Sequence, residues 1–441
     1  MRNLLGDSYP DFERELTQGS ATKALFRTNK ISSEALARML PFELAPLEYA
    51  PRGALFDGEL PGKHPLHHAG AFYIQDPSAQ ATVNAAEVTE GMRVLDACAS
   101  PGGKTVFLAC SVGDDGLVVS NEADRGRART LAGNVERAGL RNTVVTCSDA
   151  RLLDGLYENF FNIVLADAPC SGEGMFRKYA AACEGWSTGA VKKCAELQRE
   201  ILDGVCRCVK PGGLLIYSTC TFSPEEDELQ TENFLARHPD FHLEAVRGKV
   251  ADVTSDGITE KTRLARRFYP HLSPGEGQYI ALMRRDADGT GGAGIVLPHD
   301  GADRTSGEEL SAIRKFLSEN TDITTDELHI VKSGEMLCAL STEHPYVRGV
   351  TVSHGVMLGS VSKGLFRPHH NFFTAYGQRF LRRTELDPSS PECADYIAGR
   401  CIKTELDNGW CAVFVGGCTL GGGKAVGGVL KNHYPKGLRM A

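Results

Sequence analysis

The sequence predicts an α/β fold in which a mostly parallel sheet carries helices on both of its faces. From about residue 92, short apolar runs alternate with helical stretches, the pattern of a parallel sheet covered on both sides. Four consecutive runs end in an acid or a small-residue loop, and ligands bind at the carboxyl ends of such strands. The predicted strands span 93–96, 117–122, 143–147, 162–167, 213–218 and 278–283, and the helices include 105–110, 125–138 and 191–209.

The flanking regions differ from this central pattern and predict further domains. The 441 residues agree with two to four domains at roughly 100–200 residues per domain. Residues 1–70 form a small N-terminal α/β extension, with a capped helix from Ser33 that ends at Pro41. The α/β pattern occupies 71–285, and a Gly- and Asp-rich stretch over 286–308 indicates a linker. Two further modules follow, 309–384 and 385–441.

Composition excludes several classes of protein. No apolar run approaches the ~18 residues of a membrane span, and the N-terminal stretch turns acidic at once, so we expect a cytoplasmic protein, here taken as a monomer. The 14 cysteines are therefore expected to be reduced, and no Cys-x2-Cys pair supports structural zinc. His64, His67 and His68 lack flanking acids or cysteines, so we predict no metal and place them in a loop near the substrate path.

The loop after the first predicted strand is suited to hold a ligand. Its small residues let the backbone approach closely, and the following helix offers free N–H groups. A phosphate-binding P-loop would also end in Gly-Lys-Thr, but it needs glycine where Cys98 stands, and Pro101 interrupts the run. An ordinary strand-to-helix turn is the plain alternative. The loop residues are Cys98, Ala99, Ser100, Pro101, Gly102, Gly103 and Lys104.

Three acids at later strand ends favour a nucleoside ligand over the plain turn. Glu122 follows the second strand, where a carboxylate can accept from two ribose hydroxyls. Asp149 follows the third strand and is placed to meet an adenine amino group, and Asp167 ends the fourth. Each acid alone is typical of a solvated strand end. The three acids together with the small-residue loop are less expected by chance, and the set therefore favours a ligand site.

Two cysteines lie just past neighbouring strands. Cys170 follows the fourth strand in a Pro-Cys pair, and Cys220 follows the fifth in a Thr-Cys pair. Ser223, Pro224 and Glu226 predict a capping box, and hence a helix that begins just past Cys220. A single buried cysteine is usually inert, but two at one rim beside a ligand loop suggest thiol chemistry.

These residues resemble a known family, the RNA cytosine-5 methyltransferases of the Nop/Sun type, and within it the enzymes of the small ribosomal subunit. The matching segments are FYIQDPSAQ (72–80), DACASPGGKT (96–105), DAPCSGEGMF (167–176) and YSTCTFSPEEDE (217–228). The likeness spans about 70–284, and 421–439 resembles a terminal PUA-like RNA-binding module. Gly421 to Lys424 departs from that module's usual pattern, which carries a tryptophan.

The resemblance implies a Rossmann-like S-adenosylmethionine-dependent methyltransferase sheet and an N-terminal extension that recognises substrate. It implies that S-adenosylmethionine lies on the Cys98–Lys104 loop and the three acids, that Cys220 is the nucleophile, and that Cys170 aids release. A thiolate that adds to carbon 6 makes carbon 5 of cytosine nucleophilic. Asp167 is the expected supplier of a proton or hydrogen bond at N3, and Lys104 of positive charge. Related DNA enzymes use the Pro-Cys cysteine as nucleophile, so the reverse assignment stays open.

The net charge of −8 means that any RNA contact must be a local patch. Cations and aromatic rings alternate over 356–384 without an acid, which indicates either RNA binding or a core with a solvated face. The expected partner is 16S ribosomal RNA in its decoding region, or the small subunit; transfer RNA, or a non-catalytic assembly factor, are the alternatives. The candidate contacts are Lys363, Arg367, Arg379, Arg382, Arg383, Lys424, Lys431 and Lys436, with a third cluster at Arg263, Arg266 and Arg267.

Overall fold

The computed structural model describes residues 1–59, 61–287, 305–341 and 349–440. Most of the linker predicted over 286–308 lies outside the described residues. No helix in the part of the chain that is described is long and apolar enough to cross a membrane.

The N-terminal region folds as an antiparallel sheet with short helices. The sheet has the strand order β2-β3-β1-β4, and its last strand lies beyond residue 70. The predicted helix from Ser33 forms, but its N-cap is Ser32, whose hydroxyl accepts from the Ala35 N–H. The strands are β1 (Ala24–Arg27), β2 (Leu44–Leu47), β3 (Ala50–Phe56) and β4 (Phe72–Ile74), and the helices α1 (Arg2–Leu5), α2 (Tyr9–Gln18), α3 (Ser33–Met39) and α4 (Pro65–His68).

The central sheet is parallel through its five middle strands, in the order β9-β8-β5-β6-β7, and β13 pairs antiparallel with β9. The strands are β5 (Arg93–Asp96), β6 (Leu117–Asn121), β7 (Thr143–Thr146), β8 (Phe161–Asp167), β9 (Val209–Thr219), β10 (Phe241–Glu244), β11 (Ser255–Asp256), β12 (Arg266–Phe268) and β13 (Gln278–Arg285). The helices are α5 (Pro77–Asn84), α6 (Gly103–Val112), α7 (Arg125–Ala138), α8 (Asp154–Tyr157), α9 (Ala180–Gly185), α10 (Thr188–Val205), α11 (Glu228–Arg237) and α12 (Lys249–Asp252).

Both faces of this sheet are buried, as the alternation of strands and helices predicts. Successive residues of a strand point to opposite faces, so Val94 packs in one hydrophobic cluster with Val106 of α6. Its neighbour Leu95 packs in a second cluster with Leu202 of α10. The fold is therefore the predicted α/β sheet with helices on both faces.

The predicted capping box after Cys220 is wrong. Residues 224–227 form turns, and α11 begins only at Glu228, with Asp227 at its N-cap and no side-chain cap. The Ser223 hydroxyl donates to Glu225 instead. The Glu226 carboxylate is turned into the interior, where it accepts a hydrogen bond from the Ser171 N–H, and so cannot cap the helix.

The C-terminal region has two further sheets, β14-β15-β17-β18 and β19-β21-β22-β23-β20. The strands are β14 (His329–Ser333), β15 (Met336–Leu340), β16 (Thr351–His354), β17 (Val356–Ser362), β18 (Leu365–Pro368), β19 (Arg383–Leu386), β20 (Ile402–Lys403), β21 (Gly409–Val415), β22 (Cys418–Val426) and β23 (Val429–Asn432). The helices are α13 (Gly307–Asn320), α14 (His370–Tyr376) and α15 (Pro391–Ile397).

The C-terminal region is joined to the rest of the molecule by strand pairing, by hydrogen bonds and by a shared hydrophobic cluster. Strand β16 pairs antiparallel with β7 and so covers the edge of the central sheet. The Thr374 hydroxyl donates to the Glu136 carbonyl at 2.8 Å. One hydrophobic cluster also combines Leu66 and Phe72 of the N-terminal sheet region with Tyr396 near the C-terminus. These contacts fix the flanking regions around the central sheet.

Candidate active site

A cavity of about 660 Å³ opens at the carboxyl ends of β5 and β8. Its walls come from the loop after β5, the ends of β8 and β9, the segment after Cys170, the start of β13 and the N-terminal sheet. The lining includes Lys23, Tyr73, Gln75, Asp76, Asp96, Cys98, Ala99, Ser100, Pro101, Gly103, Lys104, Asp167, Met175, Arg177, Lys178, Tyr179, Cys220 and Gln278. This is the sheet edge where the sequence predicts a ligand.

The loop after β5 brings its backbone close to the cavity. Gly102 has φ +113°, a left-handed conformation that favours glycine, and forms the N-cap of α6. A Cβ on Gly103 would lie 2.8 Å from the Gln75 amide nitrogen. The first N–H groups of α6 are therefore accessible at the cavity, where they can donate to a ligand.

Asp96 supplies a buried carboxylate to this cavity. One oxygen accepts from the Thr105 hydroxyl at 2.7 Å, and the other is buried without a hydrogen-bond partner among the described residues. Burial raises the pKa of Asp96 to about 7. The sequence analysis did not single out Asp96, although it ends the first strand.

The three predicted acids have different surroundings. Asp167 lines the cavity, whereas Glu122 and Asp149 are not among the described residues that do so. Glu122 is buried, accepts the Asp124 N–H at 3.0 Å and lies 3.3 Å from the Arg127 guanidinium. Asp149 accepts from the Arg151 guanidinium, which holds the pKa of that carboxyl below its usual range. The role of both acids toward a cofactor stays a prediction.

Lys104 and Asp167 form an ion pair inside the cavity, with Nζ 2.7 Å from Oδ2. Burial by itself would lower the pKa of Lys104, but Asp167 raises it above its ordinary value, so the ammonium stays charged. The other oxygen of Asp167 accepts from the Ser218 hydroxyl at 2.6 Å and the Gln278 amide at 3.2 Å. Asp167 thus serves here as an acceptor for three donors.

The two cysteines meet as the strand order requires. Because β8 and β9 are parallel neighbours, Cys170 and Cys220 lie at one rim, with their sulfur atoms 3.2 Å apart. Cys220 lines the cavity. Contact with the Cys220 sulfur and burial together raise the pKa of Cys170 well above its ordinary value. The raised pKa favours the protonated form of Cys170, whose thiol lies within hydrogen-bond distance of the Cys220 sulfur.

Hydrogen bonds tie the two cysteine loops together. The Gly174 N–H donates to the Cys220 carbonyl at 2.9 Å, and the Ser171 and Thr221 hydroxyls are 2.9 Å apart. A carboxylate oxygen of Glu173 accepts from the Phe222 N–H at 3.0 Å. These bonds fix the position of Cys220 relative to the segment after Cys170.

Several wall residues were not predicted from the sequence. The Lys178 ammonium lies 2.6 Å from Asp76 at the start of α5, and the Arg177 guanidinium lies 2.8 Å from Glu276. Tyr179 lies at the rim with 61% of its surface exposed. One of these partners could have been found from the sequence, because Asp76-Pro77 is a helix-start signal inside the 72–80 motif. No sequence pattern marks Glu276, because its pairing with Arg177 depends on tertiary structure.

Some of the C-terminal cations that were predicted to contact RNA are exposed, and others are bonded to neighbouring residues. Arg379 is ion-paired with Asp322 and Glu327, and Arg382 donates to the Glu319 carbonyl. The exposed cations are Lys363, Arg367, Arg383, Lys424, Lys431 and Lys436.

The interleaved aromatic residues do not form a stacking surface. All of them are buried in one hydrophobic cluster with Ile313 and Leu317 of α13. This agrees with the alternative in which the rings form part of a core. Their side chains are needed for packing and are not accessible to bases. The residues are Phe366, Phe372, Phe373, Tyr376 and Phe380.

Two of the three arginines in the third predicted basic cluster are bonded inside the protein, whereas Arg263 is exposed and its role toward RNA stays a prediction. Arg267 is 1% exposed and lies 3.0 Å from the Asp227 carboxylate, while it also pairs with Glu228. Arg266 pairs with Asp256 and donates to backbone carbonyls. The guanidinium groups of Arg266 and Arg267 thus already have partners inside the protein.

The histidine triplet does not line the cavity either. His67 bonds to the Gly62 carbonyl, and His68 lies 3.0 Å from the Tyr434 hydroxyl of the C-terminal region. His68 therefore belongs to the contact between the two flanking regions, whereas His64 and His67 bond within their own segment. Among the described residues, no group of three or more His, Cys, Asp or Glu side chains could hold a metal ion.

Comparison with known protein families gives three matches along the chain. The model of the 16S rRNA methyltransferase RsmB/F matches residues 83–284. The N-terminal domain of 16S rRNA methyltransferase RsmF matches 1–77, and the methyltransferase RsmF PUA domain matches 383–440.

Similar curated proteins cover nearly the whole chain. The ribosomal RNA small subunit methyltransferase F of Shewanella amazonensis is 30% identical over 438 residues, 93% of this chain and 90% of that protein. The protein of the same name from Klebsiella pneumoniae is 29% identical over 450 residues, 98% of this chain and 93% of that one.

Solved structures share the fold over about two thirds of the chain. A methyltransferase homolog protein from Pyrococcus horikoshii superposes with a TM-score of 0.56 at 26% identity, over 64% of this chain and 92% of that one. NSun6 from Pyrococcus horikoshii with SFG gives a TM-score of 0.58 at 22% identity, over 64% and 96%.

Proposed function

Since this chain belongs to the family of ribosomal RNA small subunit methyltransferase F, we propose that it methylates carbon 5 of a cytosine in 16S ribosomal RNA, with S-adenosylmethionine as methyl donor. The observation that carries the proposal is the pair of thiols at Cys170 and Cys220, 3.2 Å apart, beside the Lys104–Asp167 ion pair. Thiol addition to a pyrimidine needs a nucleophile, a group that favours charge at the ring nitrogen, and a means of release. This rim offers all three.

The cavity suits S-adenosylmethionine, which carries positive charge at its sulfonium and its amino group. The buried Asp96 carboxylate has one oxygen without a partner among the described residues, and a cation would compensate that oxygen. The start of α6 offers N–H groups for the carboxylate of the same molecule. When bound, S-adenosylmethionine supplies the electrophilic methyl group that carbon 5 accepts.

The chain's own residues prepare the cytosine. The Cys220 sulfur, as a thiolate, adds to carbon 6, which makes carbon 5 enamine-like. The Lys104–Asp167 pair faces the same cavity and offers an ammonium and a carboxylate to the polar edge of the base, where a hydrogen bond at N3 favours the addition. A target base that is stacked in an RNA helix must swing out of its stack to reach the Cys220 sulfur.

Release reverses the addition. The proton on carbon 5 passes to water, the electrons of that bond form the carbon 5–carbon 6 double bond, and the bond from carbon 6 to the Cys220 sulfur breaks. The sulfur leaves with the electron pair. Cys170 holds its proton 3.2 Å away and donates a hydrogen bond to the departing thiolate. The contact is the same for either order of roles; since Cys220 and not Cys170 lines the cavity, we assign attack to Cys220 and release to Cys170.

Bisulfite sequencing of ribosomal and transfer RNA from a strain that lacks this protein tests the proposal. We expect one or more cytosines of 16S ribosomal RNA to lose protection, and a gene copy for the wild-type chain, but not for Cys220→Ala, to restore it. Loss of protection in transfer RNA alone would favour the transfer RNA alternative. Unchanged protection everywhere would contradict the enzyme assignment and favour a non-catalytic assembly factor.

A further inference from the structure

Two buried side chains hold the backbone on either side of Cys170. Glu226 and Gln198 are both 0% exposed, and neither is among the described residues that line the cavity. One carboxylate oxygen of Glu226 accepts from the Ser171 N–H at 2.9 Å. The Gln198 amide nitrogen donates to the Pro169 carbonyl at 2.9 Å. The residues before and after Cys170 are thus both bonded to this pair of buried side chains.

The two side chains are also bonded to each other. The Gln198 amide nitrogen donates to the same Glu226 oxygen at 2.9 Å, so the bonds to Pro169 and Ser171 form one connected network. The Tyr217 hydroxyl donates to the Glu226 carbonyl at 2.5 Å and fixes the backbone of that residue. The network therefore connects α10, the end of β9 and the Pro-Cys loop.

Burial of the Glu226 carboxyl group lowers the stability of the folded protein. Burial raises the pKa of Glu226, and no lysine or arginine lies within ion-pair distance of its carboxylate in the described part of the chain. Its second oxygen is buried without a hydrogen-bond partner among the described residues. A buried carboxylate without a counterion costs free energy that an apolar side chain would not. Such a group is typically retained because it fixes a functional geometry.

We propose that Glu226 and Gln198 are positioning residues for the release of methylated RNA. They act through Cys170: by fixing Pro169 and Ser171 they keep the Cys170 thiol within hydrogen-bond distance of the Cys220 sulfur. This inference rests on the proposed function. Cys220 is held by further bonds outside this network, among them the Gly174 N–H on its carbonyl and the Glu173 carboxylate on the Phe222 N–H, so methyl transfer should depend less on the network than release does.

The proposal predicts a split between two steps that a merely structural role would not produce. In Glu226→Ala and Gln198→Ala, we expect single-turnover methyl transfer to stay within about threefold of wild type. Decay of the covalent protein–RNA complex should slow about tenfold, the effect of one weakened hydrogen bond on a barrier. Glu226→Gln keeps an acceptor oxygen and should lie between wild type and Glu226→Ala.

The test follows labelled methyl groups and RNA through one turnover with rapid quenching, and separates the covalent complex on a denaturing gel. Glu225→Gln is the matched control, because Glu225 is the exposed neighbour of Glu226 and should behave as wild type. Thermal unfolding checks that each variant is folded; if Glu226→Ala does not fold, Gln198→Ala carries the same test.

Parallel loss of methyl transfer and release, or no change in either, would overturn the positioning role. Wild-type protein that methylates no RNA and forms no covalent complex would instead contradict the proposed function, so the two failures are distinguishable.

Discussion

At the scale of single residues, the site assigns different tasks to side chains of the same type. Cys170 and Cys220 differ in that Cys220 lines the cavity, whereas Cys170 lies between two residues that are bonded to the buried Glu226 and Gln198. Asp96 and Asp167 differ as well. Asp167 accepts three hydrogen bonds, whereas Asp96 has one oxygen with no partner among the described residues. These differences come from packing, which a sequence motif does not display.

The pKa of Asp96 leads to a prediction about cofactor binding. Its raised value of about 7 means that the carboxylate predominates above pH 7 and the neutral acid below. A cationic ligand prefers the carboxylate, so affinity for S-adenosylmethionine should rise between pH 6 and pH 8, by up to about tenfold per pH unit below the pKa. Calorimetric titration measures this, and Asp96→Asn should bind more weakly and lose the dependence.

A pH-independent affinity in the wild-type chain would contradict this assignment to Asp96. Asp57→Asn, which removes an exposed acid away from the cavity, serves as the control and should keep the wild-type profile.

At the scale of elements, the positions of the strands were predictable and several local ends were not. β5 and α7 have the predicted bounds, because buried parallel strands are continuous apolar runs and an amphipathic helix has a clear period. β9 begins four residues earlier than predicted, at Val209. The capping box failed because Glu226 makes a long-range bond to Ser171 that outweighs the local signal. Local patterns therefore found the elements, and tertiary contacts set where they end.

The close approach of two loops leads to a prediction about the segment after Cys170. A Cβ on Gly174 would lie 2.8 Å from the Cys220 carbonyl oxygen and 2.9 Å from the Gly277 Cα, and both obstacles are backbone. Gly174→Ala should therefore displace the loop that carries Cys220 and lower kcat about tenfold or more, since small misplacements of reacting groups are costly. Affinity for S-adenosylmethionine should change little.

Steady-state kinetics and cofactor titration measure both effects. Gly133→Ala is the matched control, because Gly133 lies within α7 with no atom within 4 Å of an added Cβ, and alanine favours a helix. Wild-type activity in Gly174→Ala would show that the two loops can separate without loss of the active geometry.

At the scale of the whole molecule, the N-terminal region completes the site and the C-terminal region covers an edge of the central sheet. The N-terminal sheet contributes Tyr73 to the cavity wall, and β16 covers the edge of the central sheet next to β7. The sequence predicted these regions as separate modules, and their division stays a proposal. It could not predict how they pack, because contacts such as Leu66 with the C-terminal cluster join residues more than 300 positions apart.

The C-terminal surface leads to a prediction about RNA binding. Exposed Lys424 and Lys431 lie directly opposite each other on β22 and β23, and Lys424 lies over the Trp410 ring at 5.8 Å. Like charges that face each other are unfavourable without an anionic partner. Lys424→Ala with Lys431→Ala should weaken binding of 16S ribosomal RNA, and should reduce the slope of log affinity against log salt by about one to two.

Filter binding at several salt concentrations measures this slope. Lys332→Ala is the control, because Lys332 already pairs with Glu309 at 2.9 Å and should leave the slope unchanged. An unaltered slope in the double variant would place the RNA elsewhere on this chain of net charge −8.

The order of the two thiols is the central claim, and a denaturing gel of protein incubated with RNA and S-adenosylmethionine tests it most directly. Cys170→Ala should accumulate a covalent protein–RNA complex, because the sulfur that leaves has lost its hydrogen-bond donor at 3.2 Å. Cys220→Ala, alone or combined with Cys170→Ala, should form no such complex and transfer no methyl group. A complex trapped by Cys220→Ala and absent from Cys170→Ala would contradict the account and exchange the two roles.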